Sequence, residues 1–138
     1  MNCKKIIVVD DEPDLLRAVT LTLRKFGYEV VPAGSGTYAL DLIMLAENAG
    51  EPMDLLITDL HLPGISGIEL IEKVRRSGSR VAIGAITAFG NSRIKAGLEK
   101  IGCRFCLDKP FNGEELLKNV FVALGENDEV KSLQDQAW

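Results

Sequence analysis

The sequence predicts an α/β domain: a doubly wound, five-stranded parallel sheet with helices on both faces. Three observations carry this. Five short apolar runs alternate with five stretches whose apolar residues recur at helical spacing. The connections are short, and strands joined by helical crossovers form a parallel sheet that must be covered on both faces. The third run is followed by a carboxylate and a Pro-Gly turn, and open α/β sheets place their ligands at the carboxyl ends of strands.

The first strand is Ile6, Ile7, Val8 and Val9, followed at once by Asp10, Asp11, Glu12 and Pro13. Pro13 suits a first helical turn, with Asp11 or Glu12 near the cap. Leu15, Leu16, Val19, Leu23 and Phe26 give the first helix its inward face, and Gly27 ends it. Residues 28–31 form a second strand, more polar at its start and placed at an edge. Gly34, Ser35, Gly36 and Thr37 make a loop and helix cap. The second helix runs to about Asn48, with Leu42, Ile43, Leu45 and Ala46 inward.

Leu55, Leu56 and Ile57 are the continuous apolar core of the third strand, which reaches Asp59. Such a run suits a strand buried on both faces. Gly67 precedes a third helix carrying Ile68, Leu70, Ile71 and Val74 on one side. Residues 81–86 are a fourth buried strand, with Thr87 at its end. Asn91 or Ser92 caps a weaker fourth helix with Ile94, Leu98 and Ile101. Residues 103–107 are the fifth strand and lead into Asp108, Lys109, Pro110 and Phe111. The last helix covers about residues 113–124, with Leu116, Leu117, Val120 and Phe121 inward. Residues 1–124 are expected to form the domain. Residues 125–138 are polar and charged, a tail or the start of a linker, with Val130 and Leu133 as apolar exceptions.

With five strands, the flavodoxin-like order 2-1-3-4-5 is the leading topology. Its switch point lies between the first and third strands. Asp10, Asp11 and Asp59 therefore converge there.

Composition narrows the function. A chain of 138 residues, 46% hydrophobic, suits one domain with a real core. No apolar run approaches the roughly 20 residues that span a bilayer. The first strand is too short for a signal-peptide core, so a cytoplasmic location is expected. The net charge of −4 and pI near 5.0 argue against direct nucleic-acid binding by this segment. Gly34 and Gly36 lack the third glycine and the Gly-Lys-Ser/Thr ending of phosphate loops. Cys103 and Cys106 read as C-x-x-C, but strand alternation puts residues three apart on opposite faces. They are expected to be structural thiols sharing neither a metal nor a bridge.

Like charges held close raise one another's pKa. Three converging carboxylates make sense around a hard cation, and Mg²⁺ takes one or two carboxylates plus a phosphate. Lys109 would bring an ammonium to the same pocket, and Thr87 a hydroxyl able to donate to an oxyanion. Carboxylate nucleophile, Mg²⁺, lysine and hydroxyl are the parts that phosphoryl transfer needs. A carboxylate attacking phosphorus gives an aspartyl phosphate.

At this point the chain resembles the receiver domains of two-component response regulators, of the single-domain chemotaxis-regulator type, over roughly residues 4–124. The matching motifs are Asp10-Asp11, the segment from Asp59 through Pro63-Gly64 to Gly67, Thr87-Ala88, and Lys109-Pro110-Phe111, in order and in register. The resemblance implies that Asp59 accepts a phosphoryl group from a histidine kinase or phosphotransfer protein, and that the domain catalyses its own phosphorylation and dephosphorylation. It implies Mg²⁺ held by Asp11, Asp59 and the His61 backbone carbonyl, with Asp10 on a metal-bound water. Lys109 would pair with the phosphoryl oxygens, and Thr87 would move to bond one of them. A cis Lys109–Pro110 bond is expected. Implied partners are the kinase, a downstream target or missing output domain, and a second copy through the fourth-helix to fifth-helix face.

One position departs from the family. Three residues before the lysine, where Tyr or Phe is common, stands Cys106, with Phe105 one place earlier. By alternation Phe105 should face the other side. His61 and Phe89 should stand at the pocket mouth and restrict or orient attacking water. The rival reading is a phosphorylation-independent interaction module that keeps the fold.

Overall fold

The computed structural model describes residues 3–126. The elements alternate as expected: β1 (Lys5–Val9), α1 (Pro13–Lys25), β2 (Glu29–Ala33), α2 (Gly36–Asn48), β3 (Leu55–Asp59), α3 (Gly67–Arg76), β4 (Ala82–Thr87), α4 (Ser92–Lys100), β5 (Cys103–Asp108) and α5 (Gly113–Ala123). The sheet order is β2-β1-β3-β4-β5, and every pairing is parallel. Helix starts follow local chemistry. The side chains of Ser35, Ser66, Asn91 and Asn112 accept from backbone N–H groups in the first turns of α2, α3, α4 and α5.

Two apolar layers flank the sheet. Ile6, Val8, Leu55 and Ile57 face α1 and α5, meeting Val19, Leu23, Leu116, Leu117, Val120 and Phe121. Ile7, Val9, Leu56 and Ile83 face the other layer, with Ala39, Ile43, Leu70, Ile71, Val74 and Leu98. Every residue of β3 and β4 is buried. Their carboxyl ends therefore hold polar side chains in fixed positions.

The strand and helix edges differ from expectation in ways that have physical causes. β2 runs on through Pro32 to Ala33, which an edge strand tolerates because proline lacks only a donor. Leu45 is 65% exposed and Ile68 40% exposed, against the inward placement expected of both. Each lies two residues from a fully buried neighbour (Ile43, Leu70), and two helical steps turn a side chain about 200° away.

The expected separation of the two cysteines does not hold. β5 pairs Cys103 with Ile83 but Phe105 with Gly84, so Arg104 is the extra residue of a bulge. The bulge resets the alternation. Cys103 and Cys106 both pack on the α4 side, and both line one small cavity of about 120 Å³ with Leu98. Phe105 turns to the α5 layer, away from Cys106 as expected. Its ring lies where a side chain at residue 84 would stand: a Cβ on Gly84 would meet ring atoms at 2.1 to 2.5 Å. The expectations for residues 127–138, including Val130 and Leu133, fall outside the described residues.

Candidate functional site

The site lies at the carboxyl ends of β1, β3, β4 and β5. Asp59 is the last residue of β3 and is 3% exposed; Asp10 follows β1 and is 2% exposed. Asp11 is exposed. Ligand oxygens of Asp10, Asp11 and Asp59 all lie within 4.8 Å of one another. The switch point thus gathers the three carboxylates that the sequence pointed to.

Lys109 crosses from the end of β5 to meet them. Its Nζ donates to Asp59 Oδ2 at 2.6 Å and to Glu12 Oε1 at 3.1 Å, and stands 3.4 Å from Asp10 Oδ2. The last contact is within ion-pair range but lacks hydrogen-bond geometry, so Asp10 Oδ2 is buried with no bonded partner among the described residues. Lys109 N donates to Thr87 O at 2.8 Å, which fixes the lysine backbone against β4. The Lys109–Pro110 bond is cis, as expected.

The other Asp59 oxygen, Oδ1, accepts from His61 N at 2.8 Å. The chain then turns at Gly64 and enters α3. Gly67 passes close beneath the strand end: a Cβ there would lie 2.1 Å from Asp59 O and 2.7 Å from Leu60 Cα. Only glycine permits this approach, and the approach sets where Asp59 sits.

Thr87 is fully buried at the end of β4. Its Oγ1 accepts from Phe89 N at 3.1 Å and lies 3.4 Å from His61 Nε2. The His61 and Phe89 rings meet edge to face, centroids 5.5 Å apart, with Phe89 73% exposed.

The electrostatics follow from burial and proximity. Burial raises the Asp10 carboxyl above the usual carboxylate range, and the Asp59 charge adds to this. The Glu12 N–H and the Lys109 ammonium oppose it only in part. Burial pulls Lys109 down, but the bonds to Asp59 and Glu12 and the charges of Asp10 and Asp59 outweigh it, so its pKa is raised and it stays an ammonium.

The donor set suits a hard divalent cation. All three groups are carboxylates, and one buried carboxylate oxygen lacks a bonded partner. Asp10, Asp11 and Asp59 are the side chains that could hold Mg²⁺. A carboxylate paired with an ammonium, with a hydroxyl at the neighbouring strand end, can act as a nucleophile toward phosphorus. One participant escaped the sequence reading. The sequence marks Glu12 only as a cap residue, yet it caps nothing with its side chain and instead reaches Lys109.

Residues 6–121 match the family described as response regulator receiver domain. The DNA-binding response regulator MtrA of Mycobacterium tuberculosis is 35% identical over 127 residues, which are 91% of this chain and 53% of that protein. The transcriptional regulatory protein FixJ of Azorhizobium caulinodans is 28% identical over 130 residues, covering 93% of this chain and 58% of that protein. The chain spans about half the length of these curated relatives. Among solved structures, chemotaxis protein CheY4 of Vibrio cholerae superposes with a TM-score of 0.79 at 31% identity, covering 89% of this chain and 100% of that one.

Proposed function

This chain belongs to the response regulator receiver domain family of two-component systems, and on that premise we propose that Asp59 is its phosphoacceptor, loaded from a phosphohistidine with Mg²⁺ in the acidic pocket. The observation that carries the reading is the ion pair of Lys109 Nζ with Asp59 Oδ2 at 2.6 Å, inside a pocket that also holds Asp10 and Asp11. Bound Mg²⁺ would supply charge neutralisation for the incoming phosphoryl group. The chain's own groups do the rest. Asp59 Oδ2 attacks phosphorus while His61 N holds Oδ1 in place. Lys109 remains an ammonium beside the developing negative charge. Thr87 Oγ1 leaves Phe89 N and His61 to donate to a phosphoryl oxygen.

The phosphoryl group then biases two conformations, and only its differential stabilisation counts. Moving a population from 1:99 to 99:1 takes about 5.5 kcal/mol. Cys106 cannot serve as the rotating aromatic, and Phe105 is packed into the α5 layer. The readout therefore runs through the Thr87–His61–Phe89 contacts and α4. In this reading the domain acts in the cytoplasm and comprises residues 1–124. Its partners are a sensor kinase or phosphotransfer protein and a downstream target or output domain, with a second copy on the α4–α5 face. No direct nucleic-acid contact is assigned to this segment.

A small-molecule acyl phosphate with Mg²⁺ should add one phosphoryl group to the wild type and none to Asp59→Ala. Loss of metal should stop the reaction. A wild type that stays unmodified while binding its partners would instead favour the phosphorylation-independent interaction module.

A further inference from the structure

We propose that Glu12 is a positioning residue for phosphoryl acceptance, holding the Lys109 ammonium while Asp59 Oδ2 gives it up. The proposal rests on the reading of Asp59 as phosphoacceptor. Both Asp59 oxygens are engaged in this structure: Oδ1 accepts from His61 N at 2.8 Å, and Oδ2 from Lys109 Nζ at 2.6 Å. An oxygen bonded to an ammonium at that distance is a weak nucleophile, so Oδ2 must loosen from Lys109 before it attacks.

The Lys109 side chain is only 15% exposed. An ammonium in such a place resists losing a carboxylate partner unless another replaces it. Two further carboxylates are near. Asp10 Oδ2 is 3.4 Å away, but Asp10 belongs to the group suited to the cation. Glu12 Oε1 is 3.1 Å away, lies outside that group, and its side chain is 64% exposed, free to follow the ammonium outward.

The backbone aims Glu12 at this task. It is the N-cap residue of α1, extended at φ −85° and ψ 109°, with Pro13 fixing the first turn after it. Its N–H donates to Asp10 Oδ1 at 2.9 Å, which locks the loop onto the site. An N-cap side chain ordinarily accepts a bond from its own helix. Glu12 makes none, so its carboxylate serves Lys109.

In the reaction the Asp59 Oδ2 electron pair forms the new P–O bond. With a phosphohistidine the P–N bond breaks and the imidazole nitrogen keeps that electron pair; with an acyl phosphate the P–O bond breaks and the donor leaves as its carboxylate. Lys109 keeps all its protons and passes from Asp59 to Glu12 and the arriving phosphoryl oxygens. Lys109 gives up no proton in either case.

The test is a double-mutant cycle in the full chain. Phosphorylation by a small-molecule acyl phosphate at saturating Mg²⁺ is followed by intact mass over hours, so that slow variants register. Four proteins are compared: wild type, Glu12→Gln, Lys109→Ala and the double variant. Glu12→Gln should slow phosphorylation roughly three- to tenfold with Lys109 present and change it less than about twofold without it. Mn²⁺ affinity, read by electron paramagnetic resonance, should differ less than about twofold between wild type and Glu12→Gln. An equal loss in both lysine backgrounds, no loss in either, or a large drop in Mn²⁺ affinity overturns the role given to Glu12. A wild type that takes no phosphate overturns the phosphoacceptor reading itself, a separate and recognisable result.

Discussion

His61 Nε2 lies 3.4 Å from Thr87 Oγ1, the hydroxyl that also accepts from Phe89 N. The His61 and Phe89 rings meet edge to face beside it. We expect this pair to restrict or orient water attacking a phosphoryl group on Asp59. Replacing His61 or Phe89 with Ala should change the phosphoryl lifetime several-fold, timed by loss of label after the donor is removed. Lifetimes equal to wild type in both variants would contradict a role for this pair.

Asp10 sets a pH dependence of stability. Burial raises its carboxyl above the unfolded value of 3.8. The folded chain therefore binds more protons than the unfolded chain in the window above 3.8, and stability falls as pH rises through it. Above the raised value the loss is complete and constant. Asp10→Asn copies the neutral form and keeps an acceptor for Glu12 N. In metal-free buffer at neutral pH it should raise the urea midpoint, and the gain should vanish below the unfolded carboxylate pKa. Mg²⁺ should then stabilise the wild type more than the variant. A metal-free Asp10→Asn protein with a lowered midpoint at neutral pH would refute this.

Two glycines carry different penalties. The three atoms nearest a Cβ at Gly84 all belong to the Phe105 ring, which can shift, so Gly84→Ala should cost about 1–3 kcal/mol. Adding Phe105→Leu should recover part of it. A Cβ at Gly67 meets the backbone of Asp59 and Leu60, which cannot yield cheaply. Gly67→Ala should cost more and also slow phosphorylation, because Asp59 must move. Denaturant midpoints that rank the two in the opposite order would count against the close α3 approach.

The thiols should separate by reactivity. Burial pushes Cys103 up to about 12, with Cys106 nearby adding to it and Arg75 opposing. Burial likewise raises Cys106, Lys95 opposing it and Asp108 adding. Cys3 is exposed. The thiolate is the reactive form, and a thiol of pKa 12 is about one part in 10⁴ thiolate at pH 8. Ellman's reagent should find one fast thiol in the native chain and the other two on unfolding. Three equally fast thiols would show that β5 is not packed against α4 as described.

Much of this was legible in the residues. β3 announced itself because a strand buried on both faces must be apolar throughout, and the carboxylate after it marked the switch point. The helix caps at Ser35, Asn91 and the turn at Gly27 have strong local chemistry. What escaped was set by neighbours. The bulge at Arg104 depends on β5 fitting beside Gly84, and no local signal within residues 103–107 revealed it. Leu45 and Ile68 were drawn inward by hydrophobicity alone, although their angular positions point outward. Glu12 showed its acidity but not its partner, because Lys109 lies 97 residues further along the chain.

The most direct measurement locates the phosphoryl group. After treatment with an acyl phosphate and Mg²⁺, borohydride reduction converts an aspartyl phosphate to homoserine, which peptide mass spectrometry assigns to a residue. Homoserine is expected at position 59 alone, absent when Mg²⁺ is chelated. Homoserine at Asp10 or Asp11 instead, or none anywhere in a folded and metal-loaded protein, would contradict it.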